Sequence, residues 1–213
     1  MSAKREPWTG PSIVLRTTAV RESDLVMTLL SSDRGRVEAI ARGARKSRRR
    51  FPGGLPIGAR GEAEVRPGRG SLANLERFEF TRDNSVVGRD LQRFGYVSYL
   101  CEITDQLVSG HGIEQAIYRA LNGALDDVVE HAPDPEMLRS YELKLLHHLG
   151  LLPALSRCCA CGVEVEEVTR AARKGPLDRA ALAGELGDVL FDALMLARVS
   201  ARDHGISLQE CCA

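Results

Sequence analysis

Short apolar runs and stretches that alternate with a period of two, punctuated by turn residues, fill the first eighty residues, after which the period lengthens. Ile13-Val14-Leu15 is an apolar run in a segment rich in β-branched residues (Val14, Thr17, Thr18, Val20), and it predicts a strand from Pro11. Leu25-Val26-Met27-Thr28-Leu29-Leu30 predicts a second. Asp33-Arg34-Gly35-Arg36 reads as a tight turn, with Gly35 at a position that tolerates positive φ. Arg36 to Ala41 alternates as a half-buried strand should, and Gly58 to Arg66 alternates again. Pro67-Gly68-Arg69-Gly70 turns the chain into a last strand, Leu72 to Phe80. Five short strands in so few residues favour a small closed barrel or sandwich, and the OB-fold is the five-stranded candidate.

From Asp83 the spacing becomes helical. Leu91, Phe94, Val97, Leu100, Ile103 and Leu107 recur every three or four residues, with Asp83 or Ser85 as the expected cap. Gly110-His111-Gly112 interrupts the pattern. A second helix is expected from Ile113 to Glu130, with Ile117, Leu121, Leu125 and Val128 on one face. Asp134 then serves as N-cap and Pro135 as first helical residue of a third helix, which runs through Met137 to Leu149 and ends at Gly150. Two further helical stretches are expected near 164–174 and 178–204. The expected fold class is α+β: an N-terminal five-stranded OB-fold barrel over residues 1–80, followed by an α-helical domain over 83–162 and a helical tail over 163–213.

Charge changes that picture from architecture toward function. The chain has 213 residues, with 29 Lys/Arg against 29 Asp/Glu, and the balance hides an asymmetry. Up to Arg77 there are 16 basic and 8 acidic residues, and beyond it 13 and 21. A basic domain attracts polyanions whatever the whole-chain balance. No apolar run approaches the roughly 20 residues that a membrane span needs. The opening Met1-Ser2-Ala3-Lys4-Arg5-Glu6-Pro7 lacks the apolar stretch of an export signal. A cytoplasmic, nucleoid-associated setting with the six cysteines reduced is therefore expected.

The basic residues concentrate between the third and fourth predicted strands, in Arg42-Gly43-Ala44-Arg45-Lys46-Ser47-Arg48-Arg49-Arg50-Phe51-Pro52, where six of eleven are cationic with little local acid. Folding gains nothing by crowding like charges, whereas phosphates supply the missing counter-charge and release condensed cations. Guanidinium groups also stack on exposed bases. The expected nucleic-acid ligands are Arg42, Arg45, Lys46, Arg48, Arg49 and Arg50, joined by Arg34, Arg36, Arg66 and Arg69 from the other loops. No helix-turn-helix or zinc-finger pattern accompanies them, so sequence-specific readout is not expected.

A resemblance supports this reading. Ile13-Val14-Leu15-Arg16, Glu22-Ser23-Asp24-Leu25-Val26 and Thr28-Leu29-Leu30-Ser31-Ser32-Asp33-Arg34-Gly35 resemble the opening of the bacterial RecO family. Ala41-Arg42-Gly43-Ala44-Arg45-Lys46-Ser47 is similar to its basic segment, and Tyr99-Leu100-Cys101-Glu102-Ile103-Thr104-Asp105 to its first long helix. Tyr141 to Pro153, followed by Cys158-x-x-Cys161-Gly162, is the most specific match. The resemblance implies an OB-fold and a helical domain. It also implies a non-enzymatic recombination mediator that binds single- and double-stranded DNA, anneals strands and helps load RecA onto DNA coated with single-strand-binding protein, alongside RecR.

Two features stand apart. Cys158 and Cys161 are half of a zinc knuckle, and a tetrahedral site needs two more ligands. Cys211 and Cys212, being adjacent, are poorly placed to chelate one zinc jointly. No cofactor is required by the mediator reading; zinc is a candidate only at Cys158 and Cys161. After Gly162 the resemblance to RecO stops, and the tail resembles part of the MazG-like nucleotide pyrophosphohydrolases. Their two acidic pairs map onto Glu164, Glu167, Glu185 and Asp188, and i,i+3 carboxylates on two helices can hold Mg²⁺ against a triphosphate. An alternative activity follows: Mg²⁺-dependent nucleoside-triphosphate pyrophosphohydrolysis in the tail. A third expectation is that the acidic helical half presents a protein-interaction surface.

Overall fold

The computed structural model describes residues 6–51, 54–68, 70, 72–108 and 114–151. The expected strands form β1 (Trp8–Ala19), β2 (Leu25–Ser31), β3 (Gly35–Ala41), β4 (Arg60–Arg66) and β5 (Ala73–Phe80). They close a barrel in the order β1-β2-β3-β5-β4, in which only β3 and β5 run parallel. This is the connectivity of the OB-fold. One long strand closes it: the first half of β1 pairs with β4 (Trp8↔Val65) and the second half with β2 (Ala19↔Leu25). The register shift between Val14 and Arg16 bends β1 where it changes partner.

Alternation explains what fills the barrel. Val14, Met27, Leu29, Ala39, Ala63, Val65, Leu75 and Phe78 form its buried core, plugged from the β3–β4 connection by Ala44, Phe51 and Leu55. The outward-facing Thr28 and Leu30 of β2 are buried too. Helices cover that side: α1 (Leu91–Leu107) packs against β1, and α2 (Glu114–Glu130) against β2 and β3.

The start of α1 departs from expectation. Asp83 accepts the Ser85 N–H (2.8 Å) in a local turn, and a single 3-10 turn, Val87–Arg89, follows. The cap is Asp90, in extended backbone, which accepts the Gln92 and Arg93 N–H groups at 2.9 and 3.2 Å. Leu91 and Phe94, expected on the buried face, are exposed because the helix leads in ahead of its packed stretch. That stretch is Val97, Leu100, Cys101, Thr104, Asp105 and Leu107. Gly110-His111-Gly112 lies outside the described residues. The third helix, α3 (Pro135–His148), begins as expected, with Asp134 accepting the Glu136 N–H (2.8 Å).

One compact unit runs from Met1 to Tyr141 and takes in the barrel, α1, α2 and the first half of α3. Charged struts join them. Asp105 of α1 takes Arg36 Nε at 2.8 Å and Arg16 Nε at 3.4 Å. Arg93 of α1 donates to the carbonyls of Val128, Val129 and His131 at the end of α2, capping that helix. Arg60 of β4 reaches Asp126 of α2. Part of the basic excess in the first half is thus spent on acids of the second. A second unit spans Glu142–Ala213, and its described part is the end of α3. There Leu151 N–H bonds Leu146 O and Gly150 N–H bonds His147 O (2.9 and 3.1 Å), with Gly150 at φ 72°, a left-handed helix stop.

Gly58 shows how tightly barrel and helix fit. It sits at φ 77° before β4, donates to Val14 O at 2.8 Å, and a methyl group there would run into Val97 Cγ1 of α1. Gly58→Ala is expected to cost about 2–4 kcal/mol, since the strained φ and the collision add. Urea denaturation checks it, with a lowered midpoint and an unchanged slope.

Candidate nucleic-acid interface

The β2–β3 register builds the site. Leu25 faces Ala41, so the residues just before β2 lie beside those just after β3. The β1–β2 turn, closed by Val20 N–H on Asp24 O at 3.2 Å, is thereby set against the basic β3–β4 loop. Four contacts staple them. Gly43 N–H donates to Asp24 Oδ1 (2.8 Å), and Arg45 N–H to Ser23 O (3.1 Å). Arg45 Nη1 donates to Glu22 O (3.3 Å), and Lys46 Nζ lies 4.0 Å from Glu22 Oε2. This last pair is exposed on both sides and contributes little.

Within the loop the chain turns back on itself. Lys46 and Ser47 N–H groups converge on Gly43 O at 3.1 and 3.0 Å, and Phe51 N–H reaches Ser47 O at 3.2 Å. Ala44 and Phe51 are buried in the barrel core, so the loop is anchored at both ends while residues 45–49 stand out.

The expected ligands therefore separate by role. Arg42, Arg48 and Arg49 are exposed, and among the described residues their guanidinium groups have no hydrogen-bond or ion-pair partner. Arg45 and Lys46 are exposed with the weak ties just given. Arg50 is an internal strut: Nη2 donates to Arg42 O (2.6 Å), Nε to Ser47 Oγ (3.4 Å), and its guanidinium lies 5.2 Å from the Phe51 ring centroid. Arg36 is engaged by Asp105 and by Glu38 (3.1 Å). Burial opposes its charge, but the hydrogen bond and attraction of Asp105, then of Glu38, outweigh that, and its pKa rises. Arg34 is half-buried in the β2–β3 turn, away from the loop in sequence and held by neighbours. Arg66, exposed at the end of β4, lies 3.6 Å from Glu64. Arg69 lies outside the described residues, as do Cys158, Cys161, Glu164, Glu167, Glu185 and Asp188.

Sequence reasoning missed the β1–β2 turn. Arg21 extends the cationic surface, exposed and 3.9 Å from Asp24, while Glu22 and Asp24 bring acids to a loop read as having few. The signal was available: a hairpin closed by Asp33-Arg34-Gly35 places Asp24 opposite Arg42.

The exposed side chains of the loop are cationic. Among the described residues no three His, Cys, Asp or Glu side chains are grouped to hold a metal ion. Cys101 is buried against the barrel, and burial pushes its thiol up to about 12, so it offers no thiolate near neutrality.

The family model for the recombination protein O N terminal domain matches residues 5–84, and that for its C terminal domain matches residues 88–187. The chain belongs to the RecO family. The DNA repair protein RecO of Symbiobacterium thermophilum (strain DSM 24528 / JCM 14929 / IAM 14863 / T) is 34% identical over 186 residues, 87% of this chain and 73% of that protein. The RecO of Geobacter sulfurreducens (strain ATCC 51573 / DSM 12127 / PCA) is 35% identical over 181 residues, 84% of this chain and 69% of its own length. The RecO of Anaeromyxobacter sp. (strain K) is 40% identical over 156 residues, or 73% of this chain, which spans only 61% of that relative.

The RecO match does not stop at Gly162: it runs to residue 187, and Glu164, Glu167 and Glu185 lie inside it. The acid spacing that suggested a hydrolase is thus found within sequence that the RecO model covers. Among the described residues no helix is long and apolar enough to cross a membrane.

Proposed function

We propose that this chain is a non-catalytic, cytoplasmic DNA-repair mediator of the nucleoid that grips the sugar-phosphate backbone with its β3–β4 loop. It would bind single- and double-stranded DNA, anneal complementary strands, and with RecR help load RecA onto DNA coated with single-strand-binding protein. It would need no cofactor for the DNA contact. The observation that carries the reading is a set of exposed guanidinium groups, Arg42, Arg48 and Arg49, without partners among the described residues, on a loop whose two ends are anchored in the barrel. Membership of the RecO family supports the mediator role, and the position of three of the four tail acids inside the RecO match favours it over hydrolysis.

The physics of annealing fits. Two phosphate backbones repel, and a surface that neutralises both removes the main barrier to bringing them together. With Arg45 and Lys46 added, five loop cations face solvent. If each neutralises one phosphate, affinity for a labelled single strand should fall with salt with a log–log slope of about −3.5. Fluorescence anisotropy from low to physiological salt measures it, and EDTA should leave the curve unchanged. Absence of binding at low salt would overturn the reading.

A further inference from the structure

We propose that Asp24 is the positioning residue of this interface, fixing through the Gly43 N–H the direction in which the loop arginines are presented; the inference rests on the nucleic-acid reading above. A carboxylate is the wrong charge for such a surface, since it repels the phosphates that its neighbours attract. Its geometry explains its presence. The Asp24 side chain is only 13% exposed, and Oδ1 receives the Gly43 N–H at 2.8 Å and the Ser23 hydroxyl at 3.4 Å. Gly43, at φ 66°, is where the chain leaves the line of β3, and glycine is the residue whose backbone is least determined by itself. Its exit direction is therefore set by its bonds. The carbonyl is held by the N–H groups of Lys46 and Ser47 from within the loop, and Asp24 holds the N–H of this joint from the residue before β2, beside the Arg45 N–H bond to Ser23 O. Arg42 lies immediately before this joint, and Arg48 and Arg49 lie beyond it.

The two roles of the carboxylate, anion and acceptor, predict opposite signs, which makes the inference testable. If charge alone mattered, removing it would tighten DNA binding. If position matters, removing the acceptor weakens binding although repulsion is relieved.

The test is anisotropy with a labelled single-stranded oligonucleotide on the full chain, comparing Asp24→Asn, Asp24→Ala, Asp24→Glu and the charge control Glu22→Gln. Glu22 holds the loop through its carbonyl, so its side chain can be neutralised without loosening that tie. Asp24→Asn keeps an acceptor and sheds the charge, and should bind at least as tightly as wild type, as should Glu22→Gln. Asp24→Ala should bind about three- to tenfold more weakly, because a loosened loop must be ordered on binding. Asp24→Glu keeps the charge but displaces the acceptor by a methylene, and should weaken binding too; it decides the matter with Asp24→Asn should Asp24→Ala fail to fold. Asp24→Glu at wild-type affinity, or Asp24→Ala as tight as Asp24→Asn, would overturn the proposal. A wild-type chain that fails to bind at low salt would instead overturn the nucleic-acid reading itself.

Discussion

Reversing Arg42, Arg48 and Arg49 to glutamate should lower affinity for a single-stranded oligonucleotide by at least about 100-fold at low salt and flatten the salt slope by about two units. These three side chains have no partner among the described residues to lose, so the substitution removes backbone contacts and adds repulsion without disturbing the fold. Stability should therefore stay within about 0.5 kcal/mol of wild type. The matching reversal of Arg36 is expected to behave in the opposite way. It would set a carboxylate against Asp105, which is only 5% exposed, and weaken the barrel–helix junction more than DNA binding. Anisotropy and urea denaturation on the same two variants separate the outcomes. If Arg36 proves the stronger determinant of affinity and the loop the weaker, the site lies on the junction side of the barrel and not on the loop.

That contrast marks where the sequence was legible. Strand positions followed from short apolar runs, period-two alternation and glycine at turns, because all are local: Gly35 indeed turns at φ 66°, and all five strands lie within a few residues of their expected positions. Helix existence was equally local. Partnership was not. Arg36 and Asp105 are 69 residues apart and Arg60 and Asp126 are 66 apart, so nothing in composition distinguishes an arginine that meets a phosphate from one that meets a helix. The cationic excess of the first half was correctly seen, but part of it holds the acidic helices. The cap of α1 failed for a related reason. Asp83, Ser85 and Asp90 all suit an N-terminus, and the intervening 3-10 turn selects the last. The basic loop itself was evident from charge density alone. Its support from Glu22, Ser23 and Asp24 required the strand register, which alternation places but does not by itself pair.

Arg60 carries the largest expected effect on stability. Its side chain is 2% exposed, where an isolated charge is not tolerated. Nη1 donates to Asp126 Oδ1 and lies 3.2 Å from Asn122 O, while Nη2 reaches Asn84 Oδ1 at 3.2 Å. Asn84 in turn donates to Gly58 O at 2.7 Å, so the cluster joins β4, the lead-in to α1, and α2. Removing Asp126 leaves the guanidinium buried with only amide oxygens around it, and breaking a buried pair in this way costs about 3–5 kcal/mol. Arg60→Met should cost less. It keeps much of the stem's packing, and the Asp126 carboxylate it leaves behind is 29% exposed and can rehydrate. The expected order in urea is therefore wild type, then Arg60→Met, then Asp126→Ala, with the double variant Arg60→Met/Asp126→Ala more stable than Asp126→Ala alone. That last inequality is the decisive one. It holds only if the cost arises from an uncompensated buried cation, and a double variant that is the least stable of the four would show that Asp126 and Arg60 act through separate contacts.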